Sequence, residues 1–372
     1  MNYSRLIGTL LIVMGYGCVW GQDPAFSQFY ANRIYLNPAF TGMDPGLTFV
    51  GSSRLQWVKV DNGFQTHAAT VELQEPFIRS GFGLSVFSNR EGLAALRTIG
   101  LGFSYAYIVP FRRSNLHFGL QASVWQKSLD WSKLVFSDQL DPVLGVVYPT
   151  AAVPGLERVT ASDFHAGALF RTEGTLRLGG ATYRHVRSAV GLSVHHLPSL
   201  FGGAGAVESF QYLGTRVPAR VTIHAGTIVP VIIFEGVGHR ISLSPNAKFE
   251  WQGESAAALG QSIRVWTYGT YALYEGFYLG AFFLNKTPVP DRRNTNALIL
   301  SFGWYQQPGR HGRDPRLFVG FSMDINTTGV GTSAGNVYEL NVRYALPGAP
   351  HIFGHSRSRD VKKLLDCKDF LY

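Results

Sequence analysis

Charge is scarce in this chain: Asp, Glu, Lys and Arg make up 15% of its 372 residues, against roughly 25% in ordinary soluble domains. Helical periodicity is nearly missing as well, although a soluble enzyme of this length carries several amphipathic helices. No apolar run of about 18 residues follows the leader, which excludes a later membrane helix. Two cysteines occur, Cys18 in the leader and Cys367 near the end, so no disulfide and no thiolate metal site is expected in the mature monomer. No G-x-S-x-G, H-E-x-x-H or P-loop pattern is present. No catalytic set, cofactor or metal site is expected.

What the chain has is apolar and aromatic: 46% hydrophobic residues, 13% aromatics and 42 glycines. That composition suits a sheet whose outer face meets lipid. Without membrane helices, a closed barrel is the remaining way to satisfy every backbone group in lipid. The net charge of +9 does not point to nucleic acid, because the basic residues are scattered or in short pairs such as Arg112-Arg113 and Arg292-Arg293. They suit the lumen and rims of a barrel.

Residues 1–21 are expected to be a secretory signal peptide. Arg5 gives the positive start, residues 6–19 the apolar stretch, and Val19-Trp20-Gly21 the cleavage region before Gln22. Cys18 suggests a lipoprotein, but Gly15-Tyr16-Gly17 is a poor lipobox.

Period-two alternation then predicts strands. Leu317, Val319, Phe321, Met323 and Ile325 share one face, against Phe318, Gly320, Ser322 and Asp324. Residues 241–251 and 99–109 alternate similarly. Weaker segments lie near 47–57, 64–75, 81–89, 115–127, 163–171, 187–197, 219–229, 258–269, 276–285, 294–305 and 336–346. The total is about fourteen antiparallel strands, each long enough to cross a bilayer when tilted, with both ends periplasmic. Short connections follow even-numbered strands, and the longest, near 128–162 and 198–218, follow odd-numbered ones, as expected of periplasmic turns and outer loops. Residues 172–186 would be an extended periplasmic hairpin. Trp57, Trp125, Trp131, Trp251, Tyr271, Trp304 and Tyr344 are expected in interfacial girdles.

The predicted organisation is a signal peptide (1–21), an N-terminal plug or docking segment (22–46), a transmembrane β-barrel (47–346) and a periplasmic tail (347–372). In the N-terminal segment Pro38 fixes φ and biases Asn37 toward an extended conformation. The tail has helical spacing over 359–370, and Lys362, Lys363, Leu364, Leu365, Phe370 and Tyr372 are its candidate docking residues. His165, His195 and His224 would face the lumen on the polar register. The neighbours His195 and His196 would alternate across the sheet, so that their rings could not chelate one metal. Asp130, Asp138 and Asp141 lack EF-hand spacing for calcium.

The run Asp23-Pro24-Ala25-Phe26-Ser27-Gln28-Phe29-Tyr30, followed by Tyr35-Leu36-Asn37-Pro38-Ala39-Phe40-Thr41-Gly42, closely resembles the DPxFSQ(F/Y)Y and YLNPAxxG segments of the PorP/SprF family. The resemblance continues through Arg54–Trp57, Gly191–Leu197 and Tyr338–Tyr344, over roughly 22–346. It implies a fourteen-stranded outer-membrane barrel of Bacteroidota that works with the type IX secretion or gliding machinery. The implied partners are the C-terminal domain of a secreted cargo protein or surface adhesin, and components of the secretion system. The chain departs from the pattern in carrying about 26 residues beyond the last strand.

The expected function is therefore non-enzymatic: assistance to secretion or surface anchoring through protein–protein binding, in contact with outer-membrane lipid. The candidate plug or partner-binding residues are Asp23, Pro24, Phe26, Ser27, Gln28, Tyr30, Tyr35, Asn37, Pro38 and Gly42. A passive channel or small-solute transporter is the alternative, suited by polar lumen residues such as Lys248, Glu250, Glu339 and Arg343. A barrel hydrolase would need a Ser/His/Asp set at the outer rim, and nothing in the sequence places one there.

Overall fold

The structure, a computed structural model, describes residues 23–60, 62–92, 96–151, 157–178, 181–201, 217–233, 240–253, 262–289, 295–306, 314–328, 334–349 and 352. The expected signal peptide and the six candidate tail residues lie outside them.

Alternating segments rich in β-branched and aromatic residues fold as strands because each can bury one face and give the other to a second apolar phase. The first five are β1 (Leu47–Gln56), β2 (Phe64–Glu75), β3 (Ser80–Glu91), β4 (Leu96–Pro110) and β5 (Ser114–Ser128). A small hairpin of β6 (Leu140–Asp141) and β7 (Gly145–Val146) sits in the long connection that follows. Then come β8 (Arg158–Leu178), β9 (Ala181–His195), β10 (Arg220–Ile233), β11 (Arg240–Gly253) and β12 (Ser262–Tyr274). The last four are β13 (Phe277–Val289), β14 (Thr295–Tyr305), β15 (Arg316–Asn326) and β16 (Val337–Leu346). All but β6 and β7 form one closed antiparallel barrel of fourteen strands, with β1 sealed to β16 from Leu47↔Leu346 to Leu55↔Tyr338. Closure leaves no open sheet edge across the bilayer.

The faces are inverted relative to a soluble protein. Leu84, Leu101, Leu120 and Leu279 are about 60% exposed on the outside, whereas Thr48, Ser104, Ser193, Ser322, Glu339 and Arg343 are buried inside. The apolar exterior is the lipid face, and every barrel strand, from 10 residues upward, has the length a tilted strand needs. No helix among the described residues is long and apolar enough to cross a membrane.

Short turns at residues 76–79, 111–113 and 275–276 share a mouth with the start of β1 and the end of β16. The described parts of the connections after β5 and β9, residues 129–151 and 196–201, lie at the other. By the usual asymmetry of bacterial barrels the first mouth is periplasmic and the second faces outward. Residues 172–186 are the expected hairpin, the paired ends of β8 and β9. Two of the expected girdle aromatics point inward instead. Tyr271 is buried against Tyr278 and Phe282. Trp125 packs on Phe87 and donates its indole N–H to Ser123 Oγ at 2.8 Å. Each lies on the inward register of its strand, so closeness to a strand end did not decide its direction.

The interior core is shared between the sheet and a segment that precedes it. Phe29, Tyr30, Leu36, Ala39, Phe40 and Met43 pack against Leu169, Ile299, Tyr271, Phe282 and Phe318 of the wall.

Candidate functional site: the lumen segment and the outward mouth

Residues 23–46 thread the lumen along its height. At the outward end the Asp23 carboxylate lies 2.8 Å from His196 Nε2 and 3.2 Å from Arg220 Nη1. The Tyr35 hydroxyl donates to Pro24 O at 2.5 Å, folding the segment back on itself, and the Tyr35 ring meets Phe26 edge-on. Tyr35 also stacks on Phe87 at 5.7 Å and lies under the Arg220 guanidinium.

Next comes a charged clamp. Ser27 N–H and Gln28 N–H donate to the two oxygens of Glu339 at 2.6 and 3.1 Å, and Ser27 Oγ donates to Asp324 at 2.5 Å. Arg54 donates to Ser27 Oγ, and to Glu339 and Asp324 at 3.2 and 3.1 Å. Gln28 Oε1 accepts from the Tyr278 hydroxyl at 2.8 Å. Arg343 Nη2 donates to Tyr30 O and Ala31 O, both at 3.0 Å, satisfying carbonyls at the start of a one-turn helix, α1 (Arg33–Leu36). Asp44 is paired with Arg33 at 3.0 Å and lies 3.7 Å from Arg343 Nε.

Asn37 then reverses the chain. Its backbone is extended (φ −159°, ψ 120°), as the following proline requires. Its Oδ1 accepts from Ala39 N–H at 2.9 Å and caps a 3-10 turn, Pro38–Phe40. Its Nδ2 donates to Ala168 O and Leu192 O and lies 3.2 Å from His224 Nε2. Phe40 stacks on the same imidazole at 5.3 Å. The wall makes room for this turn with glycine. A Cβ on Gly119 would overlap the backbone of Pro38 and Ala39, and one on Gly167 would overlap Asn37 Oδ1. Gly42, at φ +67°, donates to Glu72 at 2.9 Å. The segment ends where Gly46 O accepts from Gln74 N at 3.0 Å, beside β1.

All ten N-terminal candidates thus lie on one stretch inside the barrel, and Phe26, Ser27, Gln28, Tyr30, Asn37, Pro38 and Gly42 are buried. The polar wall residues that suited a channel are engaged as well. Glu339 and Arg343 bind the segment, while Lys248 pairs with Glu250 at 2.7 Å. Two cavities beside the segment measure about 10 and 20 Å³, room for about one water each. Sequence reasoning did not single out Arg54, Glu72, Asp324 or Ser193, whose Oγ donates to Leu36 O at 2.7 Å, as partners of the segment; all four lie on the inward register, and Arg54 and Ser193 also fall in stretches that carry the family resemblance.

The outward mouth corrects the expectation for the histidine pair. His196 lies just past the end of β9 in the left-handed region (φ 59°, ψ 46°), which turns its ring back inside, so that His195 and His196 are both buried. The expected lumen-facing His165, His195 and His224 are indeed buried inward. Asp163, His165 and His196 bring one ligand-type atom each within 4.8 Å of one another. Hydrogen bonds account for every ring nitrogen of the two histidines. His196 Nδ1 meets Asp163 and its Nε2 meets Asp23; His165 Nδ1 accepts from His196 N–H, and its Nε2 lies 3.1 Å from Ser123 Oγ. Burial disfavours charge on His196, but the carboxylates of Asp23 and Asp163 outweigh it and raise its pKa to about 9.

Ser, His and Asp are therefore gathered near the outer rim, where sequence alone placed no such set. Their geometry is not that of a catalytic triad, which needs the serine on one ring nitrogen and the carboxylate on the other. Here Ser123 and Asp163 both face Nε2 of His165, the latter at 3.8 Å.

Above the rim, the connection between β5 and β8 is ordered by its own carboxylates. Asp141 accepts from Val143 N–H, Leu144 N–H and the Tyr148 hydroxyl at 2.8, 2.9 and 3.2 Å. Asp138 accepts from Ala151 N–H and Thr150 Oγ1. Backbone hydrogen bonds, from Ala151 to Asp138 and from Leu144 and Val143 to Asp141, hold both pKa values below the usual carboxylate range. These caps present Val143 and Leu144, 88% and 74% exposed, at the tip of the β6–β7 hairpin.

A closed antiparallel barrel with an apolar exterior and a polar lumen defines the class: an outer-membrane β-barrel. A profile of the family "Type IX secretion system membrane protein PorP/SprF" matches residues 19–344, and the chain belongs to that family. A comparison with curated proteins gives no match. Among solved structures, the chain is similar to the COG4313 outer membrane channel from Pseudomonas putida F1 (8% identity, 81% of this chain, 94% of that one, TM-score 0.39). It is likewise similar to the P. putida toluene transporter TodX (11% identity, 85% and 93% coverage, TM-score 0.41). A third is the Acinetobacter baumannii outer membrane protein Omp33 (9% identity, 82% and 99% coverage, TM-score 0.36). The protein is thus a membrane barrel of the type IX secretion system, located in the outer membrane.

Proposed function

We propose that this barrel is a non-enzymatic holder of secreted cargo, which it engages by protein–protein contact at the outward mouth, and that its lumen does not conduct. The observation that carries this reading is the occupied lumen. A diffusion channel needs a continuous wet path, whereas residues 26–34 are all buried between the walls. The charges that would line such a path are bound to the segment or to one another.

With the interior occupied, binding falls to the surfaces around the mouths. The β6–β7 tip offers ordered, exposed apolar side chains, a composition suited to a protein contact. The partner on this reading is the C-terminal domain of a secreted protein or adhesin, and the residues contacting it include Val143, Leu144 and Tyr148. Asp23 and Pro24, at the outward end of the segment, lie within reach of the same mouth.

Deleting the gene and profiling surface and culture-fluid proteins tests the role. Loss of one or a few proteins from the surface is expected, with the outer membrane's permeability to small solutes unchanged. Unaltered display of every secreted protein would count decisively against it.

A further inference from the structure

The β8–β9 hairpin extends beyond its neighbours on the periplasmic side. β8 pairs with β5 as far as Ser114↔Thr172, and Glu173 N–H still donates to Arg113 O at 2.9 Å. β9 pairs with β10 as far as Ile228↔Arg187. Beyond these points, among the described residues, 174–178 and 181–186 pair only with each other. That leaves about 17 Å of two-stranded ribbon with open edges. Such ribbons are marginal in water, and an unpaired edge is a template for another strand.

The two edges are not equivalent. On β9 the pairing register shifts opposite Gly174 and Leu176, and His185 sits at φ 59° with its Nδ1 2.9 Å from Glu173. A bulge of this kind twists an edge and blunts it. The β8 edge carries the single residue of the bulge and stays regular. It continues the line of β5 past the β4–β5 turn, where Phe111, Arg112 and Arg113 are exposed. Arg177 and Leu176 are exposed on β8 itself. The one carboxylate of this stretch, Glu173, is held by His185.

We propose that residues 174–178 of β8 are a periplasmic docking edge for an extended, acidic segment of a partner protein, which adds as a strand in line with β5. Backbone pairing supplies the affinity, Arg112, Arg113 and Arg177 select carboxylates, and Phe111 and Leu176 offer the apolar contacts. Phospholipid headgroups would also meet the arginines, but they cannot pair a row of N–H and C=O groups. The inference stands apart from cargo binding, which falls at the opposite mouth.

The test uses the full-length chain in its native envelope. A photo-reactive phenylalanine analogue replaces the exposed Thr175, and cross-linked peptides are sequenced by mass spectrometry. The expected adduct is a protein segment rich in Asp and Glu. Combining Arg112→Glu, Arg113→Glu and Arg177→Glu should lower its yield at least tenfold. Hydrogen exchange at residues 174–178 should be at least tenfold slower in native envelopes than in phospholipid nanodiscs holding the purified chain. Adducts with lipid alone, with a second copy of the chain, or with neutral or basic segments overturn the proposal, as does equal exchange in the two settings. If the charge-reversed chain fails to assemble, adduct identity and exchange in the unaltered chain decide the matter.

Discussion

Arg54 and Glu339 stand directly opposite one another across the seam where the first barrel strand meets the last, 3.2 Å apart. The same Glu339 accepts the backbone N–H groups of Ser27 and Gln28. One carboxylate therefore serves both the closing of the barrel and the seating of the lumen segment.

Replacing Glu339 by alanine should accordingly cost more than an ordinary ion pair. It leaves the buried Arg54 guanidinium beside Asp324 alone and removes the acceptor for two buried amides. A loss of about 3–5 kcal/mol is expected, typical of breaking a buried pair. The urea midpoint of the barrel in detergent micelles measures it; a midpoint within error of the parent would refute the coupling.

Removing residues 23–45 should turn a silent barrel into a conducting one. In planar bilayers the full chain is expected to give no resolved steps, and the truncated chain steady steps at the same protein dose. Steps of equal size from both proteins would mean that the segment leaves the lumen unaided.

Gly119→Ala tests how closely the Pro38–Phe40 turn presses on the wall. Its Cβ would meet main chain, which cannot rotate away, so a loss of about 1–3 kcal/mol is expected. Gly51→Ala is the control, because a Cβ there meets nothing within 4 Å. Equal stabilities for the two variants would dissociate the glycine from the turn.

The Asp23 end should loosen in alkali. The folded pKa of His196, about 9, lies above the unfolded value of roughly 6.5. Its stabilising contribution is therefore complete below about 6.5 and is lost as the pH rises through about 9. Groups facing its ring are Asp23, Asp163 and His165, with His195 and Arg220 close by. A spin label on Ala25→Cys, in a Cys367→Ser background, should gain mobility above pH 9, while Asp23→Asn should make it mobile throughout. A flat profile in the parent chain would remove His196 from the anchor.

Val143→Asp combined with Leu144→Asp should weaken cargo retention at the cell surface at least tenfold and leave the urea midpoint unchanged, since both side chains are exposed. Retention at the parent level would move the contact elsewhere on the outward mouth.

The strands were legible because lipid and lumen impose opposite chemistry on alternate residues. Residues 47–57 were expected and Leu47–Gln56 found; residues 317–325 grew only to Arg316–Asn326. Ends were harder to read where pairing continues beyond the bilayer, as in Arg158–Leu178, expected as 163–171. The lumen segment was legible as a motif, but its partners were not. Asn37 meets Leu192 and Ser27 meets Glu339, 155 and 312 residues away, and nothing local in a single sequence marks such pairs. His196 was misplaced for a different reason: strand periodicity assumes extended backbone, and one left-handed residue reverses the direction of its side chain.

The route of residues 23–46 has a consequence for biogenesis. The segment runs from the outward mouth at Asp23 to the foot of β1 at Gly46, and its Ser27 and Gln28 complete the hydrogen bonds of Glu339 on the last strand. The wall is in effect wound on its own mandrel. If the strands close around this segment, the envelope should stay tight to small solutes while the parent chain is being inserted and leak while a chain lacking residues 23–45 is.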